Sequence, residues 1–237
     1  ISHQLDFIRI GAEPKDSKDS YKIINFCTKN KLETHLNLMK TYGIDLVQFK
    51  KIVKEANNLE LKYLYIVDSA GCMTPETILP YLNILKEYSN HKIGFHGHNN
   101  LGLANYNSLF FIKNGGDMVD ATIGSMGRSA GNAQTEIIAY LLKKYNFAEF
   151  KELDLTLLKA NVINQLNNKY QGIDTVDVLF GMTGLHSSYL DNFERITNKY
   201  DIKIENLIVE VAKKDNISPN IELIENTAKS IVRLDQK

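Results

Sequence analysis

Cysteine is scarce: Cys27 and Cys72 are the only two in 237 residues, each in an apolar neighbourhood. No disulfide framework is to be expected, and a reducing, cytoplasmic setting is the default. An excess of one charge is missing as well, with 28 Lys and Arg against 28 Asp and Glu. Without a basic surplus, nucleic acid is not an expected partner. No apolar run reaches the ~18 residues of a membrane span, and residues 1–6 do not form a signal peptide, so no membrane association is expected. The chain opens on Ile1, not Met, a hint that it begins inside a longer gene product. What remains, 43% hydrophobic and 24% charged residues, is ordinary for a globular protein with a large core.

One stretch stands out, Ile93-Gly94-Phe95-His96-Gly97-His98-Asn99-Asn100-Leu101-Gly102. Side chains two apart on a strand share a face, so His96 and His98 stand side by side and make half of a metal site. Taken alone, the pair would equally suit two ordinary histidines; its surroundings decide.

Asp6 to Gly11 reads as a strand and Ser17 to Lys31 as a helix. Thr34 to Met39 is the next strand, Asp45 to Leu59 a helix with Leu46, Phe49, Ile52, Val53 and Ala56 at helical spacing, and Tyr63 to Val67 a strongly apolar strand. Thr74-Pro75 caps the following helix, which runs through Leu79 to Tyr88. The histidine strand follows, then a helix from Leu101 to Asn114 and a strand from Met118 to Ile123. About five strands alternating with helices predict βαβ units and a parallel sheet, whose functional groups gather at the C-terminal strand ends. Glu13, Asn37, Asp68, Ser69, His96, His98, Gly124 and Asn132 all lie there.

Beyond Lys144 the periodicity changes. Leu153 to Asn168, Asp191 to Lys199, Ile204 to Lys213 and Ile221 to Leu234 read as helices, with Gly181 to Tyr189 as a polar, glycine-punctuated link. Residues 1–148 thus form an α/β region and 149–237 a helical one. With no Pro-, Gly- or Ser-rich linker between them, the helices are expected to pack against the sheet.

Three ordered motifs carry a family resemblance: Asp68-Ser69-Ala70-Gly71, then Gly94-Phe95-His96-Gly97-His98-Asn99-Asn100-Leu101-Gly102-Leu103-Ala104-Asn105, then Asp120 through Ala133 with Gly124, Gly127, Arg128, Gly131 and Asn132. Together they resemble the metal-dependent pyruvate lyase and synthase superfamily, which includes 4-hydroxy-2-oxovalerate aldolases, 3-hydroxy-3-methylglutaryl-CoA lyases and the isopropylmalate, citramalate and homocitrate synthases. The segment Gly184-Leu185-His186-Ser187-Ser188-Tyr189-Leu190 is most similar to the communication domain of the aldolases.

The resemblance implies a (β/α)8 TIM barrel, of which this chain supplies about strands 4–8, followed by a C-terminal helical region. It implies one divalent metal, most readily Mn²⁺ with Mg²⁺ or Co²⁺ as alternatives, held by His96 and His98 with Asn132 on or near it. It also implies a carboxylate from an aspartate on the first strand, beside a catalytic arginine. That segment has no counterpart here, so the missing strands are expected elsewhere in the same polypeptide or in a separate chain. Asn37, Asp68 and Ser69 become candidates for substrate binding, and His186, where the aldolases carry a tyrosine, a candidate catalytic residue. It equally suits a histidine packed in a turn.

The reaction implied is cleavage of a 4-hydroxy-2-oxo acid to pyruvate and an aldehyde. A homo-oligomer and an acylating aldehyde dehydrogenase that receives the aldehyde are the implied partners. An acyl-CoA-using synthase or lyase is the second reading, though no phosphate-cradling loop is evident beyond Gly124 to Gly131 with Arg128. A non-catalytic scaffold is the third.

Overall fold

The computed structural model of the chain describes residues 5–165 and 173–235. Five strands, β1 (Phe7–Ala12), β2 (Glu33–Leu38), β3 (Tyr63–Asp68), β4 (Lys92–Gly97) and β5 (Met118–Val119), lie parallel in the order β1-β2-β3-β4-β5. Helices α1 (Tyr21–Lys29), α2 (Leu46–Ala56), α3 (Pro75–Tyr88) and α4 (Ala104–Lys113) make the crossovers, and α5 (Thr135–Lys144) follows β5. Strands that add in sequence order through helical crossovers build one side of a barrel.

The alternation along each strand divides the sheet into two unlike faces. Ile10, Leu36, Leu38, Leu64, Ile66, Ile93 and Phe95 point to the helices and close a core with Ile24, Phe49, Val53, Ile78, Leu82, Leu85 and Phe111. The register pairs Arg9 with His35, Asn37 with Tyr65 and Val67 with His96, so the other face carries mostly polar and aromatic side chains. Arg9 on β1 forms an ion pair with Asp120, just past β5. These strands are opposite edges of the sheet. Four spacings of ~4.8 Å would hold them about 19 Å apart if it were flat, far beyond an arginine's reach. The ion pair therefore requires the sheet to curl, with Arg9, Tyr65, His96 and Asp120 inside the curve.

Five further helices follow: α6 (Glu152–Gln165), α7 (Thr175–Thr183), α8 (Leu190–Tyr200), α9 (Ile204–Ala212) and α10 (Ile221–Asp235). Phe180, Leu185, Phe193, Ile196, Leu207, Ile208, Val211, Ile224 and Ala228 make a second core of their own. This unit sits on the strand-end rim. Lys40 Nζ bonds the Ile217 carbonyl at 3.1 Å, and Asn100 Nδ2 donates to the Asp177 carbonyl at 3.0 Å.

Some boundaries depart from the sequence reading. The expected strand over 118–123 is only Met118–Val119, because the chain turns away at once: Thr122 bridges to Gln134. The first helix opens as a tight three-residue-per-turn segment, Pro14–Ser20, ahead of α1. Gly181 to Thr183, read as part of a link, end α7, whose start is fixed by a reciprocal Asp174–Asp177 capping box. Gly181 is the residue that hid this helix, and its lack of a side chain is used: a Cβ there would lie 2.9 Å from Leu101. Residues 166–168 of the expected fourth-last helix lie outside the described residues.

Candidate metal centre

His96 is the last residue but one of β4 and His98 follows it by two, so strand alternation puts both on the concave face. Their ring centroids are 5.2 Å apart, edge to face. His96 Nδ1 lies 2.9 Å from Asp120 Oδ2; a carboxylate accepts, so Nδ1 carries the proton and Nε2 keeps its lone pair. His98 is held the other way round. Its Nδ1 is buried with no hydrogen-bond partner, while the ring bonds to the backbone of Arg128, which leaves Nε2 as the bonded atom and Nδ1 as a free donor atom. Burial, then the neighbouring His96, His186 and Arg128, push the His98 pKa down to about 3. The imidazole is neutral, as a metal ligand must be.

Asn132 is brought to the same place by the loop after β5. A backbone bridge pairs it with His98, and Asn99 N–H donates to the Gly131 carbonyl at 2.9 Å. Gly131 has φ +79°, and a Cβ on it would fall 1.8 Å from the Ser125 carbonyl oxygen, so only glycine lets the loop fold back here. Asn132 Nδ2 donates to the Met126 carbonyl at 3.0 Å, which fixes the amide, and its Oδ1 is left buried without a partner. Two unpaired acceptor atoms beside a second imidazole are costly in a folded protein unless something occupies them. A divalent cation would satisfy that requirement, but three neutral donors hold a hard cation poorly by themselves, and a carboxylate from outside these residues would be needed to complete the set. Among the described residues no group of three or more His, Cys, Asp or Glu is placed to hold a metal; the set here is two histidines and an amide.

His186 arrives from the helical unit. Its ring stands 6.5 Å from that of His98. Its Nδ1 accepts from Ser188 Oγ at 2.7 Å and Ser188 N–H at 3.2 Å, so the proton sits on Nε2, which can donate. Burial, then the charges of Lys40 and Arg128, lower its pKa to about 4. The residue does not titrate near neutrality, as an unperturbed imidazole would.

The remaining candidates differ in what they have to offer. Asp68 is fully buried and accepts from the Cys72 and Met73 amides at 2.9 and 3.0 Å. Ser69 Oγ accepts from Lys40 N–H at 2.9 Å. Both shape the rim. Asn37 Oδ1, on the concave face, is buried and unpartnered. His35 and His91 are packed: His35 bonds Glu33 and stacks on Phe7, and His91 lies between the Ala56 and Leu61 carbonyls. No role for Arg9 or Asp120 was legible in the sequence. Asp120 stood inside a quoted motif, but its contact with His96 comes from the sheet, and nothing local marks Arg9.

A curled parallel sheet with imidazoles and an amide at its strand ends defines a class, parallel α/β barrel proteins with their candidate site at the C-terminal mouth. The particular family follows from comparison: the HMGL-like family profile matches residues 10–165, and the chain belongs to that family. A Pelotomaculum thermopropionicum protein named 4-hydroxy-2-oxovalerate aldolase is 30% identical over 213 residues, 85% of this chain and 63% of its own length. This chain therefore spans less than two thirds of that relative. The N-terminal domain of a Bacteroides vulgatus protein described as an aldolase superposes with TM-score 0.72 at 26% identity, over 83% of this chain and 65% of that one. The carboxyl transferase domain of Rhizobium etli pyruvate carboxylase, solved with pyruvate and biocytin, shares the fold at TM-score 0.77 and 13% identity, over 97% of this chain and 42% of that one. The five strands are part of a (β/α)8 barrel. No helix among the described residues is long and apolar enough to cross a membrane.

Proposed function

We propose that the barrel to which this chain contributes cleaves a 4-hydroxy-2-oxo acid to pyruvate and an aldehyde. The relatives' name supports the reaction, and the observation that carries it is the pair of rings of His96 and His98 5.2 Å apart with Asn132, its Oδ1 unpartnered, bridged to His98 through the backbone. His96 through Nε2, His98 through Nδ1 and Asn132 through Oδ1 would hold a divalent ion, for which the family resemblance, more than the donor atoms, favours Mn²⁺. Bound there, the ion supplies Lewis-acid polarisation of the substrate's keto group.

The chain's own residues do the rest. Asn37 offers a buried amide oxygen to a substrate hydroxyl on the concave face. His186, neutral and donating from Nε2, binds the oxygen that becomes the aldehyde and holds it in line for bond cleavage. Residues 1–148 serve as the barrel portion. Residues 149–237 serve as a communication-type region facing an acylating aldehyde dehydrogenase, in a homo-oligomer; similarity of residues 184–190 to the aldolases supports this.

The test is made on the full-length gene product with Mn²⁺ and short 4-hydroxy-2-oxo acids, by coupled assay of pyruvate and of the aldehyde. Stoichiometric release of both, abolished in His96→Ala and His98→Ala, is the expected result. Release that occurs only with a CoA thioester substrate overturns the aldolase reading.

A further inference from the structure

The residue that sets the ligand state of His96 lies outside the donor set. Asp120 is nearly buried, its side chain 13% exposed, and one of its oxygens, Oδ2, receives both His96 Nδ1, at 2.9 Å, and the Arg9 guanidinium. Burial alone would raise this carboxyl; hydrogen bonds from His96 and Arg9 hold it below the usual carboxylate range. Arg9 is fixed in turn. Its second nitrogen donates to Tyr65 Oη at 2.9 Å, and its guanidinium carbon lies 4.6 Å from the Tyr65 ring centroid, with Tyr65 itself fully buried. The chain of contacts runs from β3 through Arg9 on β1 to the turn after β5, and ends on the histidine of β4.

We propose that Asp120 is the positioning residue of His96 and that Arg9 clamps it there. The proposal rests on reading His96 as a metal ligand. An imidazole has one lone-pair nitrogen when neutral, and the hydrogen bond at the other nitrogen decides which one it is. Asp120 can only accept, so it keeps the proton on Nδ1 and frees Nε2. The clamp matters because a carboxylate oxygen shared with Arg9 cannot swing away from the ring.

Asp120→Asn is the conservative variant. Its amide oxygen can stand where Oδ2 does and accept from both His96 Nδ1 and Arg9, so the Nδ1–H tautomer is kept. Removing the acceptor takes Asp120→Leu, paired with Arg9→Met so that no guanidinium is left unpaired. In that double variant nothing holds the proton on Nδ1, and Nε2 carries it in part of the molecules. Arg9→Met alone keeps the acceptor and guards against a folding defect in the double variant.

The test uses the full-length gene product and Mn²⁺ as the probe. Long-range ¹H–¹⁵N spectra of the metal-free protein report the His96 tautomer, and titration calorimetry reports affinity. The expected result is an Nδ1–H tautomer in the wild type and in Asp120→Asn, a mixture of tautomers in Arg9→Met/Asp120→Leu with Mn²⁺ affinity down roughly 10- to 100-fold, and a smaller loss in Asp120→Asn and in Arg9→Met. An unchanged tautomer and affinity in Arg9→Met/Asp120→Leu overturns the proposal. So does complete loss of Mn²⁺ in Asp120→Asn with the tautomer unchanged, which would make Asp120 itself a ligand. His96→Ala separates the two readings: if that variant still binds Mn²⁺ at full affinity, it is the metal reading that fails, whatever the Asp120 variants do.

Discussion

Five histidines of the described residues share one side-chain chemistry and have divergent uses, decided by what each ring nitrogen meets. His91 has both ring nitrogens on carbonyl oxygens, and His35 bonds Glu33 through Nε2 while its Nδ1 is buried without a partner in a ring stacked on Phe7. His96 has its proton fixed by Asp120, and His98 keeps a buried nitrogen with no partner. His186 is the most informative of them for catalysis. Its Nδ1 is taken by Ser188, so it can donate but has no free lone pair to act as a base. Replacing it by Phe in the full-length protein is expected to lower kcat for cleavage ~10-fold, the value of about one hydrogen bond, while inhibition by pyruvate stays nearly unchanged. Steady-state kinetics with pyruvate as product inhibitor measure both. Equal losses in the two would return His186 to a purely structural role.

At the scale of elements, helix starts are where local chemistry is most visible. Asp45 precedes α2 with extended backbone, φ −74° and ψ 164°, and its side chain accepts from Gln48 N–H at 2.8 Å. One of the free amides of the first turn is satisfied in this way. Asp45→Ala is expected to cost about 1 kcal/mol in urea unfolding, with no effect on metal affinity, because α2 lies on the face of the sheet away from the histidines. The strands behave differently. β3 is buried on both faces, as a central parallel strand must be, and its apolar run announced it. β5 keeps only two residues, since an edge strand has a partner on one side and the Thr122–Gln134 bridge draws the chain out of the sheet.

For the whole molecule, two cores are joined at the strand-end rim. Lys40, in a left-handed conformation at φ 53°, holds Glu13 at 2.7 Å and reaches across to Ile217, while Ser129 of the glycine loop bonds Asp177 of α7. These contacts bring His186 to the centre. Within the helical unit, Glu225 on α10 accepts from Lys199 Nζ at 2.6 Å and Tyr200 Oη at 2.8 Å on α8. Those two hydrogen bonds lower its pKa from 4.5 to about 2. A carboxylate depressed by folding stabilises the native state fully above its unfolded value and loses that contribution as pH falls through the folded one. Glu225→Gln is therefore expected to unfold at a lower temperature than wild type at pH 6, with the difference closing between pH 4.5 and 2. Because the pair is at the surface, 0.5 M salt should shrink the difference at pH 6 as well. Thermal scans from pH 6 down through that range decide it.

The alternation of strands with helices, the placement of polar residues at strand ends and the shared face of His96 and His98 were all legible in the sequence, because they depend on local periodicity. So was the place of Asn132 beyond the last strand, while its nearness to the histidines was implied only by the family resemblance. The helix over 175–183 was not, since Gly181 reads as a turn until Leu101 is seen packed against it. Only the tertiary structure could join Arg9 to Asp120 across 111 positions of sequence, or bring His186 from a separate core to within 6.5 Å of His98. Those contacts depend on the curl of the sheet and on how the second core docks, and both are set by packing between segments that no local pattern connects.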